Sequence, residues 1–128
     1  MTIALITETG ESAWPDLLAS APLVLLYKHS PICGVSAVAQ VEVKALHAAA
    51  PAVPVYQIDV IRQRRLAARI AAHLGVGHES PQVILVCHGT AVWHASHFQI
   101  KAATLLDAVA RAHEACIGER RSSAPSAV

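Results

Sequence analysis

Short continuous apolar runs alternate along the chain with stretches in which apolar residues return every three or four positions, a pattern that predicts strands alternating with helices. Residues 1–6 read as a short first strand, and Trp14, Leu17 and Leu18 give residues 12–20 one apolar helical face. After Pro22, the run Leu23-Val24-Leu25-Leu26-Tyr27 has strand length and no polar alternation, so it predicts a central strand buried on both sides. From Gly34 to about Ala50, Val38, Val41, Ala45 and Ala48 recur at helical spacing, and Pro51 and Pro54 close the segment. Residues 53–59 form another strand candidate. Leu66, Ile70 and Leu74 then make a helical stripe opposite Arg62, Arg65 and Arg69, ending at Gly75.

Beyond Pro81, residues 82–87 and 92–96 flank His88-Gly89-Thr90-Ala91, which predicts an antiparallel hairpin. Ala102, Leu105, Val109, Ala112 and Cys116 share one face of a last helix, and Ser122 to Ser126 reads as a frayed tail. The predicted order is strand, helix, strand, helix, strand, helix, hairpin, helix. It describes one α/β domain over residues 1–118, with a flexible tail over 119–128.

Length and composition agree with that picture. The 128 residues suffice for one core without metal or disulfide staples, and 54% are hydrophobic while only 4% are aromatic, so the core is aliphatic. Ten Lys and Arg against nine Asp and Glu leave a formal charge of +1, too little to direct the chain to nucleic acid or an anionic membrane. No apolar run approaches a membrane span, and residues 1–6 carry no basic leader, so a cytoplasmic location is expected. Three cysteines at 33, 87 and 116 are an odd number without framework spacing, which predicts reduced thiols and no structural disulfide.

The chemistry centres on Lys28-His29-Ser30-Pro31-Ile32-Cys33-Gly34-Val35-Ser36, where an apolar strand delivers one cysteine to the start of a helix. Unpaired backbone N–H groups and the positive end of the helix dipole there favour thiolate over thiol. Ser36 can donate a hydrogen bond to that thiolate but cannot form a disulfide with it, so a mixed disulfide on Cys33 needs a second small thiol or a reductase to resolve it. Lys28 and His29 are candidate cations for the sulfur, but strand alternation sends them to opposite faces. The alternative is an inert cysteine at a strand end, with the chain serving as a non-catalytic adaptor. Cys87, last in its strand, and Cys116, on an apolar stripe, read as small hydrophobes, with a resolving role as the minor alternative. His94 and His97, read as strand residues three apart, would face opposite ways, as would Cys87 and His88. No Cys-x-x-Cys or His-x-x-x-His pair offers a zinc framework, and no metal site is expected.

The element order, the Cys33-x-x-Ser36 motif, Lys28-His29-Ser30, His78-Glu79-Ser80-Pro81-Gln82, and Trp93 followed by Ser96-His97 together resemble the monothiol bacilliredoxin (YtxJ-like) family of thioredoxin-like proteins. That resemblance implies a central mixed sheet with a C-terminal antiparallel hairpin, flanked by helices. The implied activity removes the low-molecular-weight thiol bacillithiol from mixed disulfides on client proteins, with bacillithiol as co-substrate, no other cofactor, and a disulfide reductase as a further partner. By motif, Cys33 matches the reactive cysteine, Ser36 the place where dithiol relatives keep a resolving thiol, and Pro81 the cis-proline. His78, Glu79 and Ser80, with Lys28, His29 and Ser30, are expected at the substrate. Where the family usually has proline directly after the cysteine, this chain has Gly34. A glutathione-linked monothiol protein is the alternative within the same fold.

Overall fold

The computed structural model describes residues 4–5 and 14–123. The elements are β1 (Ala4–Leu5), α1 (Trp14–Leu18), β2 (Leu23–His29), α2 (Gly34–Ala49), β3 (Val55–Asp59), α3 (Arg64–Leu74), β4 (Gln82–Cys87), β5 (Thr90–Ser96), a single 3-10 turn (His97–Gln99) and α4 (Ala102–Ser123). The rest of the first predicted strand, residues 12–13 of the first helix, and residues 124–128 of the tail lie outside the described residues. Helix α4 runs through Ser123, so residues 119–123 are helical rather than tail.

The five strands lie in the order β1-β3-β2-β4-β5, with β1, β3 and β2 parallel and β4 and β5 antiparallel to their neighbours. This is the predicted mixed sheet closed by a hairpin. Strand β2 is central, and six of its seven residues are buried because helices cover both faces. Its odd positions Leu23, Leu25 and Tyr27 pack with Val83 and Leu85 of β4 against Val43 and Leu46 of α2 and Leu105 and Val109 of α4. Its even positions Val24 and Leu26 pack with Ile84 and Val86 against Trp14, Leu66 and Ile70 from α1 and α3. The period-2 alternation of a strand thus divides the interior into two apolar layers.

Two stripes fall where the sequence puts them. Leu66 and Ile70 are buried and Leu74 half-buried on α3 while Arg62, Arg65 and Arg69 are exposed, and Leu105, Val109 and Cys116 are buried on α4 with Ala102 and Ala112 half-buried. In α2 the stripe is on another face. Val38, Val41, Ala45 and Ala48 are all exposed, and Ser36, Ala39, Val43, Leu46 and His47 are the buried positions. A helix this rich in Ala and Val offers several apolar stripes of similar strength, and packing against Tyr27 and Leu105 selects among them. The hairpin turn is also tighter than predicted. His88 and Gly89 alone form it, with φ of 47° and 83°, the left-handed pair of a type I′ turn.

Candidate active site

The functional end of the sheet is where β2 and β3 finish and β4 begins. Chain leaves β2 at His29, turns through Ser30 and Pro31 with the Cys33 amide donating to the Ser30 carbonyl (3.3 Å), and enters α2. Cys33 occupies the N-cap position with extended backbone (φ −107°, ψ 123°). Its side chain makes no cap bond of the kind a Ser or Asp would make. The amides of Ser36 and Val35 nevertheless face the sulfur and hold the thiol pKa below its ordinary value, against an opposing effect of burial and with a lesser contribution from the Ser36 hydroxyl. Cys33 is the free cysteine among the described residues, and Ile32 beside it is 81% exposed. The arrangement is an accessible thiol biased towards thiolate by helix-end amides.

Neither candidate cation acts on it. Lys28 and His29 do point to opposite faces as alternation requires, but each is engaged elsewhere. The Tyr27 hydroxyl donates to the Ser36 carbonyl (2.9 Å), so at His29 Nδ1 (2.7 Å) it accepts, which assigns the Nδ1–H tautomer to a neutral His29. Burial lowers the His29 pKa, with Asp59 raising it and Lys44 lowering it by smaller amounts. Burial, with the Cys33 charge as a second cause, raises the Tyr27 pKa, so the phenol stays protonated and keeps both bonds. Ser36 is fully buried, and its Oγ accepts the Ser30 amide (3.2 Å). Tyr27 and Ser30 therefore brace the first turn of α2, which carries Cys33.

Lys28 is buried on the other face, where its Nζ donates to His78 Nδ1 (3.1 Å). Burial lowers the lysine pKa to about 8, offset in part by the nearby Glu79 carboxylate. His78, accepting through Nδ1, is the Nε2–H tautomer, and its own pKa is lowered by burial and then by Lys28. Gln82, also buried, ties the same loop from within. Its Nε2 donates to the Gly77 carbonyl (3.0 Å), and its Oε1 accepts the Glu79 amide (3.3 Å). Glu79 faces His97 Nδ1 at 3.6 Å, and the His97 amide donates to the Pro81 carbonyl (3.0 Å). The Ser80–Pro81 bond is cis, and the Ser80 hydroxyl is buried with no hydrogen-bond partner among the described residues. His78, Glu79, Ser80 and Pro81 thus form one braced loop at the head of β4, to which Lys28 of β2 is tied. Gln82 and Tyr27 are the two braces that sequence reasoning missed as site residues. Their signal was a polar residue opening an apolar strand and a hydroxyl closing one. His97 lies in the 3-10 turn with φ 53°, not in β5, so strand alternation does not apply to it.

At the opposite end of the sheet, the structure overturns the expectation of reduced, separate thiols. Cys87 and Cys116 form a disulfide, with Cα atoms 6.1 Å apart. The reason is tertiary. Helix α4 crosses the sheet and sets Cys116 over the end of β4, a meeting that a 29-residue separation does not announce. A resolving role for either is excluded by distance. Cys87 pairs with Leu23, at the start of β2, and Cys33 lies beyond its far end, six steps of about 3.3 Å away, on the order of 20 Å.

Comparison with known proteins bears on family and fold. The model of the monothiol bacilliredoxin BrxC family matches residues 8–105. A solved structure described as a candidate oxidoreductase with a thioredoxin fold is 28% identical, with a TM-score of 0.73, over 88% of this chain and 93% of that one. Fasciola hepatica thioredoxin, 18% identical, superposes with a TM-score of 0.66 over 86% of this chain and 98% of its own. Mitochondrial thioredoxin 3 of Saccharomyces cerevisiae, 16% identical, gives 0.69 over 85% and 94%. The last two establish the shared fold.

Proposed function

The chain belongs to the monothiol bacilliredoxin family, and from that premise we propose that it removes bacillithiol from mixed disulfides on client proteins, with Cys33 as the nucleophile. The family and the thioredoxin fold support thiol redox chemistry. The single observation that carries the finer reading is the placement of Cys33, an accessible N-cap thiol whose pKa is lowered by two helix-end amides, with Ser36 where a second thiol would otherwise resolve it.

The Cys33 thiolate attacks the bacillithiol sulfur of the mixed disulfide in line with the S–S bond. A new S–S bond joins Cys33 to bacillithiol, and the client sulfur leaves as thiolate and takes a proton from water. Ser36 cannot attack the new bond, so the adduct persists until a second low-molecular-weight thiol, or the thiolate of a reductase, displaces Cys33 and carries the bacillithiol away as a new disulfide. The oxidising equivalent passes from client to Cys33 to that second thiol. His78, Glu79, Ser80 and Pro81, in the loop that Lys28 and Gln82 tie to the sheet, are the residues we propose to contact the incoming disulfide.

The test follows release of bacillithiol, and separately of glutathione, from a model protein mixed disulfide by wild type and Cys33→Ser. Faster release of bacillithiol, lost in Cys33→Ser, supports the proposal. Preference for glutathione would reassign the small thiol, and no release of either would leave a non-catalytic adaptor. Among the described residues no helix is long and apolar enough to cross a membrane, and the reaction suits a reducing compartment such as the cytoplasm, which we propose as its location.

A further inference from the structure

We propose that Cys87, His88 and Cys116 form a zinc site that is open when their disulfide is reduced and abolished when it closes. The ligand atoms of these three residues, Sγ, an imidazole nitrogen and Sγ, all lie within 4.8 Å of one another. Tetrahedral zinc with Zn–S near 2.3 Å and Zn–N near 2.0–2.1 Å needs its ligands roughly 3.5–3.8 Å apart. Once the disulfide is reduced, the two sulfurs, carried on Cα atoms 6.1 Å apart, are free to part by side-chain rotation towards that spacing. Two thiolates and one imidazole are the donor set that borderline-soft zinc prefers, with a fourth position left for water.

The surroundings give an ion access to the site. His88 reaches the sulfurs although it follows Cys87 directly, because its φ of 47° places it in the hairpin turn, outside strand alternation. It is exposed, Cys87 half-buried and Cys116 buried, so the cluster opens to solvent on the imidazole side, where an ion enters. Cys116 Sγ lies 3.3 Å from the Pro22 carbonyl oxygen. A disulfide sulfur has no proton to offer that oxygen; the reduced thiol donates to it, and zinc, in displacing that proton, must outweigh the loss of this bond. The two states interconvert by exchange with a dithiol. Its two thiols reduce the Cys87–Cys116 bond to two thiols and become a disulfide themselves, and Zn²⁺ then displaces the two cysteine protons to solvent. The site is at the far end of the sheet from Cys33, so it needs no part of the exchange chemistry proposed there.

The experiment titrates the full chain with Zn²⁺ against a chromogenic chelator after reduction, and again after oxidation with a cyclic disulfide. Wild type and Cys33→Ser are compared with Cys87→Ser and His88→Asn. Asn-Gly is itself a preferred type I′ pair, so His88→Asn keeps the turn while removing the imidazole. Reduced wild type and Cys33→Ser are expected to bind one equivalent, the oxidised protein none, and both site variants, each lacking a direct ligand, to bind more weakly by at least the roughly tenfold that losing even an outer-shell partner costs. The proposal is overturned if the reduced protein binds no zinc, if binding survives oxidation or His88→Asn undiminished, or if Cys33→Ser abolishes it.

Discussion

Ser36→Ala separates the two tasks of one hydroxyl. Ser36 Oγ accepts the Ser30 amide at 3.2 Å in a setting where Ser36 is fully buried and Ser30 nearly so, and it is also the least of three groups that lower the Cys33 pKa. Truncation leaves the Ser30 N–H buried without an acceptor, which costs about 1–3 kcal/mol. The higher helix propensity of alanine returns up to about 0.5 kcal/mol. The net loss, roughly 0.5–3 kcal/mol, lowers the melting temperature by about 2–11 °C for a domain of this size. On the thiol the effect is partial by construction. The Ser36 and Val35 amides act first and second on Cys33 and survive the substitution, so the pKa rises but stays below that of an unperturbed cysteine. Denaturant unfolding reads the first quantity, and the pH dependence of Cys33 alkylation by iodoacetamide reads the second. Unchanged stability would refute the bracing role. An alkylation profile that reverts fully to an ordinary thiol would refute the assignment of thiolate stabilisation to the helix-end amides.

Three further substitutions bear on the same site. Ser36→Cys puts a second thiol one helical turn from the first, and mild oxidation is expected to close a disulfide between the introduced thiol and Cys33, seen as a loss of two alkylatable thiols by mass; two free thiols after oxidation would contradict the geometry. Gly34→Pro is expected to stabilise the fold by about 0.5–1 kcal/mol, because proline suits the first helical position, the extended Cys33 backbone is what a residue before proline requires, and a Cβ at 34 meets nothing within 4 Å; denaturant unfolding that shows a loss would contradict this. Lys28→Met tests the buried ammonium. Its folded pKa of about 8 lies below the unfolded 10.5, so the unfolded chain holds more protons between those values. Wild-type stability relative to Lys28→Met should therefore be flat below pH 8 and rise by roughly 1–3 kcal/mol towards pH 10.5. A difference that falls over that window would refute the lowered pKa.

The fold was readable wherever one physical pattern dominated. Residues 23–27 are apolar without interruption, and only a strand covered on both faces needs that. The α3 stripe is equally plain because arginines mark its solvent side. In α2 nothing marks the solvent side strongly, and the exposed Val38 and Val41 stood in for the buried Ala39 and Val43. For the site, the position of Cys33 at a strand-to-helix junction carried most of its chemistry, since helix-end amides are a local property. The partners of Lys28, the bracing of Ser36 by Tyr27 and Ser30, and the meeting of Cys87 with Cys116 were not legible. They join residues 50, 6 to 9, and 29 positions apart through the way strands and helices stack. Alternation told correctly that Lys28 and His29 part ways, but not that both would be taken up by other groups before reaching the sulfur.

The most direct test of the central claim is to mix the protein with a bacillithiol-modified client, quench with acid, and map the adduct by peptide mass spectrometry. The account predicts bacillithiol on Cys33, with Cys87 and Cys116 unmodified and the client thiol restored. A protein–protein disulfide at Cys33, or bacillithiol carried on Cys87 or Cys116, would contradict it.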